Sequence, residues 1–188
     1  MRCMLCESLS FTHICNSCQN NFLKPRIYKR KINNTEVISF YKYEEIKDLL
    51  HTKHTDLGYH IYNILARNSF KKFADEFYTK EKYNSIAIDD HTRNGYSHTS
   101  ILNNALSSNN IKPHHNKLLA QNKVTYSGKT KAFRLNNPRD FRYKNNNLNN
   151  IILVDDIVTT GTTINEAIKL VGNENIAFCM CLVDISKK

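Results

Sequence analysis

The stretch that decides the fold is IILVDDIVTTGTT, residues 151–163. Four apolar residues in a row, at 151–154, are typical of a strand that is covered on both faces of a parallel sheet. Asp155 and Asp156 follow, and a turn rich in threonine and glycine leads into an amphipathic stretch over residues 162–171 that predicts a helix. This order predicts an α/β domain with a ligand site at the carboxyl end of the strand, where open α/β sheets usually bind ligands.

The turn has the features of a phosphate-binding loop. Backbone N–H groups at the start of a helix lack intrahelical partners, and the helix dipole favours an anion there. Threonine hydroxyls add donors, and Gly161 has no Cβ to keep a phosphate away from the backbone. With two carboxylates nearby to accept hydrogen bonds from ribose hydroxyls, the pattern suits a sugar phosphate; it is neither a Walker A loop nor G-x-G-x-x-G. The alternative is a capped helix start with two solvated acids.

Apolar and amphipathic segments alternate from residue 35 onwards, which predicts an open, mostly parallel sheet flanked by helices. We expect further strands at residues 37–43, 85–88 and 176–183, and helices over residues 57–77 and 97–106. Residues 123–150 are polar, basic and rich in asparagine, so we expect a mobile loop there. Cys179 and Cys181 lie on a predicted buried strand and are expected to pack in the core.

Four further cysteines lie near the N-terminus, as two C-x2-C pairs separated by eight residues. They are Cys3, Cys6, Cys15 and Cys18. Each pair can grip one side of a tetrahedral ion, and four thiolates at about 2.3 Å form a closed structural zinc site. An iron–sulfur cluster or free thiols are the alternatives. The predicted organisation is a zinc knuckle over residues 1–23, a basic linker over 24–34 and the α/β domain over 35–188.

The chain of 188 residues carries 27 Lys and Arg against 17 Asp and Glu, a net charge of +10. Much of the excess lies in residues 24–31 and 112–144, and such segments attract phosphorylated metabolites, nucleic acid or anionic lipid. Aromatic residues among cations are the usual arrangement for binding single-stranded nucleic acid, although a solvated face with core aromatics explains the pattern equally well. The candidate DNA contacts are Lys24, Arg26, Lys29, Arg30, Lys31, Lys123, Lys129, Lys131 and Arg134.

Apolar runs are short throughout the chain. None approaches the roughly 18 residues that a transmembrane helix needs, and the first residues, MRCMLCESLS, lack the apolar region of a secretory signal. We therefore expect a cytosolic protein that does not span a membrane. Because a reducing cytosol disfavours disulfides, the clustered cysteines favour a metal site.

Residues 151–163 resemble the signature of the phosphoribosyltransferase family, which is a strand, two acids and a Thr-Thr-Gly turn. The resemblance implies that Asp155 and Asp156 hold the ribose 2′- and 3′-hydroxyls of phosphoribosyl pyrophosphate (PRPP). The 5′-phosphate would lie against the turn residues Thr159, Thr160, Gly161, Thr162 and Thr163. The resemblance also implies Mg²⁺ as a cofactor, bound largely through the ribose oxygens and the diphosphate.

The chain as a whole is similar to the ComF family of competence proteins, in which a four-cysteine knuckle precedes a domain with the PRPP motif. Residues 41–56 resemble the family's strand, short helix and lysine, and Lys53 would lie near the diphosphate as a catalytic candidate beside Asp155 and Asp156. Residues 94–98, NGYSH, stand where the family has Arg-Gly-Phe-Asn-Gln.

This resemblance implies a cytosolic role in natural transformation, in which the protein handles incoming single-stranded DNA. A helicase or channel protein of the DNA-uptake machinery would be its partner and would bring it to the inner membrane. The alternative function is that of an active phosphoribosyltransferase of nucleotide metabolism, which transfers the phosphoribosyl group from PRPP to an unidentified acceptor.

Overall fold

A computed structural model describes residues 1–89, 91–92, 95–122, 131–137, 139–144 and 147–185. The strands are β1 (Tyr28–Ile32), β2 (Thr35–Lys42), β3 (Tyr83–Ile88), β4 (Ile111–Ala120), β5 (Phe141–Tyr143), β6 (Ile151–Val158) and β7 (Ile176–Asp184). They form one sheet in the order β1-β2-β7-β6-β3-β4-β5. The five inner strands are parallel, and the edge strands β1 and β5 are antiparallel to their neighbours. The predicted α/β class and mostly parallel sheet are confirmed.

Helices cover both faces of this sheet. They are α1 (Asn16–Phe22), α2 (Tyr43–Leu50), α3 (Asp56–Ala66), α4 (Lys72–Glu76), α5 (His98–Ala105), α6 (Lys131–Asn136) and α7 (Thr162–Val171). Residues of α2 to α5 form one hydrophobic cluster with one face of the sheet, and α7 packs on the opposite face. In the part of the chain that the structure describes, no helix has the length and apolar character needed to cross a membrane.

The helix predicted over residues 57–77 is interrupted by a π-helical turn, Arg67–Lys71. The amide of Asn68 donates to the Ile64 carbonyl at 2.9 Å, and the Ser69 hydroxyl donates to the Leu65 carbonyl at 2.7 Å. These side chains compete with the backbone N–H groups for carbonyls one turn earlier, which is a recognised local cause of irregular helix geometry.

The structure also differs from the sequence prediction at β4, α6, β5 and β6. Strand β4 was not predicted, because half of its sequence IKPHHNKLLA is polar and the polar residues do not alternate with apolar ones. The loop predicted over residues 123–150 is wrong for α6 and β5, which lie inside it. Strand β6 is twice as long as the four residues expected, so both acids lie within it.

The N-terminal unit is joined to the sheet by a shared core. Cys18 and Leu23 are buried in the same hydrophobic cluster as α2 to α5, and the rings of His13 and His60 stack at 4.4 Å. The segment predicted as a basic linker contains β1, which pairs with β2 through a tight turn at Asn33, where φ is +52°. Residues 28–32 are therefore part of the sheet.

The strand order reverses at the carboxyl end of β6, and an open α/β sheet has a crevice at such a point. This strand pairs with β3 only as far as Val154, but it pairs with β7 as far as Val158. The chain continues from β3 outward to β4 and from β6 outward to β7 in the opposite direction, and ligands bind where strand order reverses in this way. Asp155 and Asp156 directly follow Val154, the last residue of β6 that pairs with β3.

Candidate functional site

Three side chains from separate elements converge on Oδ2 of Asp156, which is buried. Lys53, in the turn after α2, places Nζ 2.5 Å from it. His98 at the start of α5 places Nε2 at 3.4 Å, and the Tyr62 hydroxyl of α3 donates to it at 3.4 Å. Burial alone would raise the pKa of Asp156, but the charges of Lys53 and His98 and the hydrogen bond from Lys53 lower it well below its ordinary value. Asp156 is therefore ionised at neutral pH.

Asp155 occupies a different environment, because successive side chains of a strand point to opposite faces. Its register partner on β7 is Cys181, and its Oδ1 accepts a hydrogen bond from the backbone N–H of Asp156 at 2.8 Å. Burial, and then the negative charge of Asp156, raise the pKa of Asp155 well above its ordinary value. The two adjacent acids are thus opposite in character: one is held as a carboxylate, and the other is pushed towards its neutral form.

The turn after β6 leads into α7 at a glycine. Gly161 is the residue before α7, and this N-cap position makes no side-chain capping hydrogen bond. The hydroxyls of Thr160 and Thr162 lie 2.9 Å apart across the turn. Gly161 has φ of +79°, and a Cβ there would lie 2.5 Å from Cδ1 of Ile32 in β1. Glycine is therefore required by the left-handed backbone and by contact with β1, a reason that the sequence pattern did not reveal.

Arg30 of β1 stabilises this turn by contacts with the ends of β6 and β7. Its Nη2 donates to the Thr159 carbonyl at 2.7 Å, and its Nε lies 3.1 Å from Oδ2 of Asp184 at the end of β7. The backbone N–H of Ile185 donates to the Val158 carbonyl at 2.8 Å and so also joins the ends of β6 and β7. Arg30, which the sequence predicts as a DNA contact, is directed into the fold by these bonds.

The other predicted DNA contacts divide into two groups. Lys24, Arg26, Lys29 and Lys31 are exposed on or just before the edge strand β1, with Lys29 paired to Glu36 at 3.2 Å. Lys123 and Lys129 lie outside the described residues, as do the side chains of Lys131 and Arg134.

The aromatic residues of the basic segments differ in their surroundings. Phe141 is buried in the core cluster beneath α7. Tyr28 has the ammonium group of Lys42 5.6 Å from its ring centroid. The interpretation of these aromatics as core residues is therefore correct for Phe141.

Sequence reasoning did not find Tyr62 and Arg139, and it named His98 only as the last residue of the segment 94–98. Arg139 forms an ion pair with Asp89 at the end of β3, and its backbone N–H donates to Oε2 of Glu166 in α7 at 3.1 Å. It links the second wall of the crevice to the helix that follows β6. No local motif marks Tyr62 or Arg139, because each acquires its role only when distant segments meet.

The four N-terminal cysteines come together as predicted. Their sulfur atoms all lie within 4.8 Å of one another, and those of Cys6 and Cys15 are 3.7 Å apart. Thiolates bound tetrahedrally at 2.3 Å would be about 3.8 Å apart. Burial alone would raise the pKa of Cys3, but backbone N–H groups, first that of Cys15, lower it to about 6. The cluster could bind a metal ion such as zinc.

No family model matches the chain, and no curated protein matches it. Function is therefore inferred from the geometry of the site.

Proposed function

We propose that the crevice binds PRPP together with Mg²⁺, in a fold of the phosphoribosyltransferase type. The observation that carries this proposal is the short distance along the chain from an ionised, buried carboxylate in β6 to the start of α7, where Gly161 supplies no capping side chain. The first N–H groups of a helix have no intrahelical partners and bind phosphate readily. The turn at residues 159–163 supplies these groups for the 5′-phosphate, together with the hydroxyls of its four threonines.

Asp156 is the acid that would accept hydrogen bonds from the ribose hydroxyls. Its side chain is ionised and faces the polar residues at the ends of α2 and α5. Asp155 lies on the other face and supports it, because its carboxyl accepts the Asp156 N–H. Mg²⁺ would be bound mainly by ribose and diphosphate oxygens, since this ion keeps much of its coordination outside the protein.

Calorimetric titration with PRPP and Mg²⁺ tests the proposal. We expect micromolar binding by the wild-type chain and a loss of at least about tenfold in Asp156→Asn, which removes one charge-assisted acceptor. Asp140→Asn is the matched control, because this aspartate is exposed and Asn also tolerates its φ of +51°. No heat from a folded wild-type chain, or equal affinity in Asp156→Asn, would contradict the proposal.

The resemblance to the ComF family adds the proposed biological role, which is the handling of incoming single-stranded DNA in the cytosol during natural transformation, with an uptake helicase or channel protein as partner. The exposed cations Lys24, Arg26, Lys29 and Lys31 support contact with phosphates. Replacing all four with glutamine should flatten the salt dependence of binding to single-stranded DNA by about 0.7 per lost phosphate contact. An unchanged salt dependence would show that the exposed side of β1 does not contact the DNA.

Transfer of the phosphoribosyl group is a second candidate function, and the position of Lys53 favours it. In that reaction the C1′–O bond breaks, the diphosphate leaves with the electron pair, and the acceptor forms a new bond to C1′. A cation beside the leaving group stabilises its developing charge. Diphosphate release, measured with PRPP and each nucleobase as acceptor, should then be abolished in Lys53→Met while PRPP remains bound. Without release from the wild type, binding alone is the function.

Zinc is the metal that we propose for the four cysteines, since a closed set of four thiolates at these separations is typical of structural zinc. Elemental analysis of the purified chain should give one zinc ion per chain. A stoichiometric content of iron and inorganic sulfide would assign a cluster instead.

A further inference from the structure

A groove lies between the N-terminal unit and α2. Its volume is about 560 Å³, which includes space open to solvent. The floor is formed by the buried side chains of Leu23, Ile46 and Leu49, and the walls include Leu5 and Phe22, which are 39% and 63% exposed. Large apolar side chains therefore line a concave surface that nothing in the described chain fills.

Apolar exposure is concentrated on this part of the molecule. Among the described residues, seven of the eleven exposed large hydrophobic side chains lie within the first 27 positions. They are Met1, Met4, Leu5, Leu9, Phe11, Phe22 and Ile27. Exposed apolar side chains that occur singly are ordinary, but Leu5 and Phe22 of this set lie together in the groove, and such a concentration marks an interaction surface.

The rim of the groove is acidic, although the chain as a whole is strongly basic. Glu44, Glu45 and Asp48 of α2 line it, with Lys47 as the only cation among its lining residues. The Glu44–Lys47 pair is well exposed and therefore weak. Asp48 forms no ion pair with any described residue. A cation that approaches the rim thus meets a net negative charge.

We propose that this groove docks a segment of a partner protein in which a large apolar side chain is flanked by lysine or arginine. The apolar side chain would displace water from the floor, and the flanking cations would complement the rim, which gives specificity and speeds encounter. The same rim repels nucleic-acid phosphates and anionic lipid headgroups, so a cationic polypeptide is the occupant that fits.

Selection from a random peptide library tests this proposal. The metal-loaded full chain is the target, and the double variant Glu44→Lys, Asp48→Lys serves for counter-selection. We expect enriched peptides with a large apolar residue next to Lys or Arg. Their affinity should fall at least about tenfold in the double variant and in Phe22→Ser, and should stay unchanged in Phe11→Ser, which alters an equally apolar residue outside the groove.

Several outcomes would overturn the proposal. The selection could yield no peptide that discriminates between wild type and the charge-reversed variant, or acidic peptides could be enriched. Equal losses in Phe22→Ser and Phe11→Ser would show general adhesion to the N-terminal unit. If sedimentation shows dimers that depend on Phe22, the occupant of the groove is a second copy of the chain. If the chain binds phosphatidylglycerol vesicles through Phe22, the groove contacts a membrane. Amide NMR spectra of each variant verify that the fold is retained.

Discussion

Replacement of Lys53 by methionine leaves the buried carboxylate of Asp156 without its closest cation. The two groups lie 2.5 Å apart, with side-chain exposures of 26% and 8%. Removal of one partner from a buried ion pair costs about 3–5 kcal/mol. Because Lys53 is partly exposed, water can reach part of the space it leaves, so we expect the lower end, about 3 kcal/mol at pH 7. With a urea m-value of roughly 2 kcal/mol/M, the unfolding midpoint should fall by about 1.5 M.

The loss should depend on pH in a defined direction. In the wild type the pKa of Asp156 lies below its value in the unfolded chain, about 3.9, so its charged form adds stability above that pH, and this contribution is lost as the pH falls through the folded pKa. In Lys53→Met, burial is the largest influence on Asp156, and it raises the pKa of Asp156 above the value in the unfolded chain. The variant then loses stability as the pH rises above about 4.

Urea unfolding of both proteins, followed by circular dichroism between pH 7.5 and about 4.5 at constant ionic strength, measures this difference. The destabilisation should shrink as the pH falls, since protonation of Asp156 removes the buried charge that has lost its closest cation. Lys47→Met is the matched control, because its pair with Glu44 lies on the surface; any loss of bound metal at low pH affects both variants alike. A pH-independent difference, or one as small as that of the control, would refute the reasoning.

Three further predictions concern other parts of the site. Gly161→Ala should destabilise the chain by at least about 1 kcal/mol in urea unfolding, because its φ is +79° and the new Cβ meets a side chain of β1; an unchanged midpoint would contradict this. Cys6→Ser should lower the bound zinc, measured with a colorimetric chelator, whereas Cys179→Ala, in the core, should keep one ion per chain; equal zinc content in both would refute the ligand set. Arg30→Gln should weaken PRPP binding in titrations by releasing the Thr159 carbonyl, and Lys31→Gln on the exposed side should weaken only DNA binding. Weaker PRPP binding in Lys31→Gln but not in Arg30→Gln would exclude a positioning role for Arg30.

Local patterns predicted the part of the fold that holds the site. Residues 162–171 were expected to form a helix, and α7 has these bounds, because a strong apolar strand, a glycine and an amphipathic stretch follow one another without ambiguity. The clustering of the cysteines was equally predictable, since their spacing alone allows one tetrahedral set.

The environments of the two acids were beyond sequence reasoning. Whether Asp156 is ionised depends on Lys53 and His98, which lie far from it in the sequence. The strand β1 was also missed, because an edge strand with exposed cations at alternate positions has the composition of a linker. Local composition identifies a buried strand, whereas an edge strand is defined by its pairing.

The most direct test of the central claim is a titration of the isotope-labelled chain with ribose 5-phosphate and then with PRPP and Mg²⁺, followed through the backbone amide signals. We predict that ribose 5-phosphate shifts the amides of residues 160–163, and that PRPP shifts these and, in addition, the amide of Lys53. Saturable shifts confined to other parts of the chain, or none at millimolar ligand, would contradict the proposal that the turn after β6 is a sugar-phosphate site.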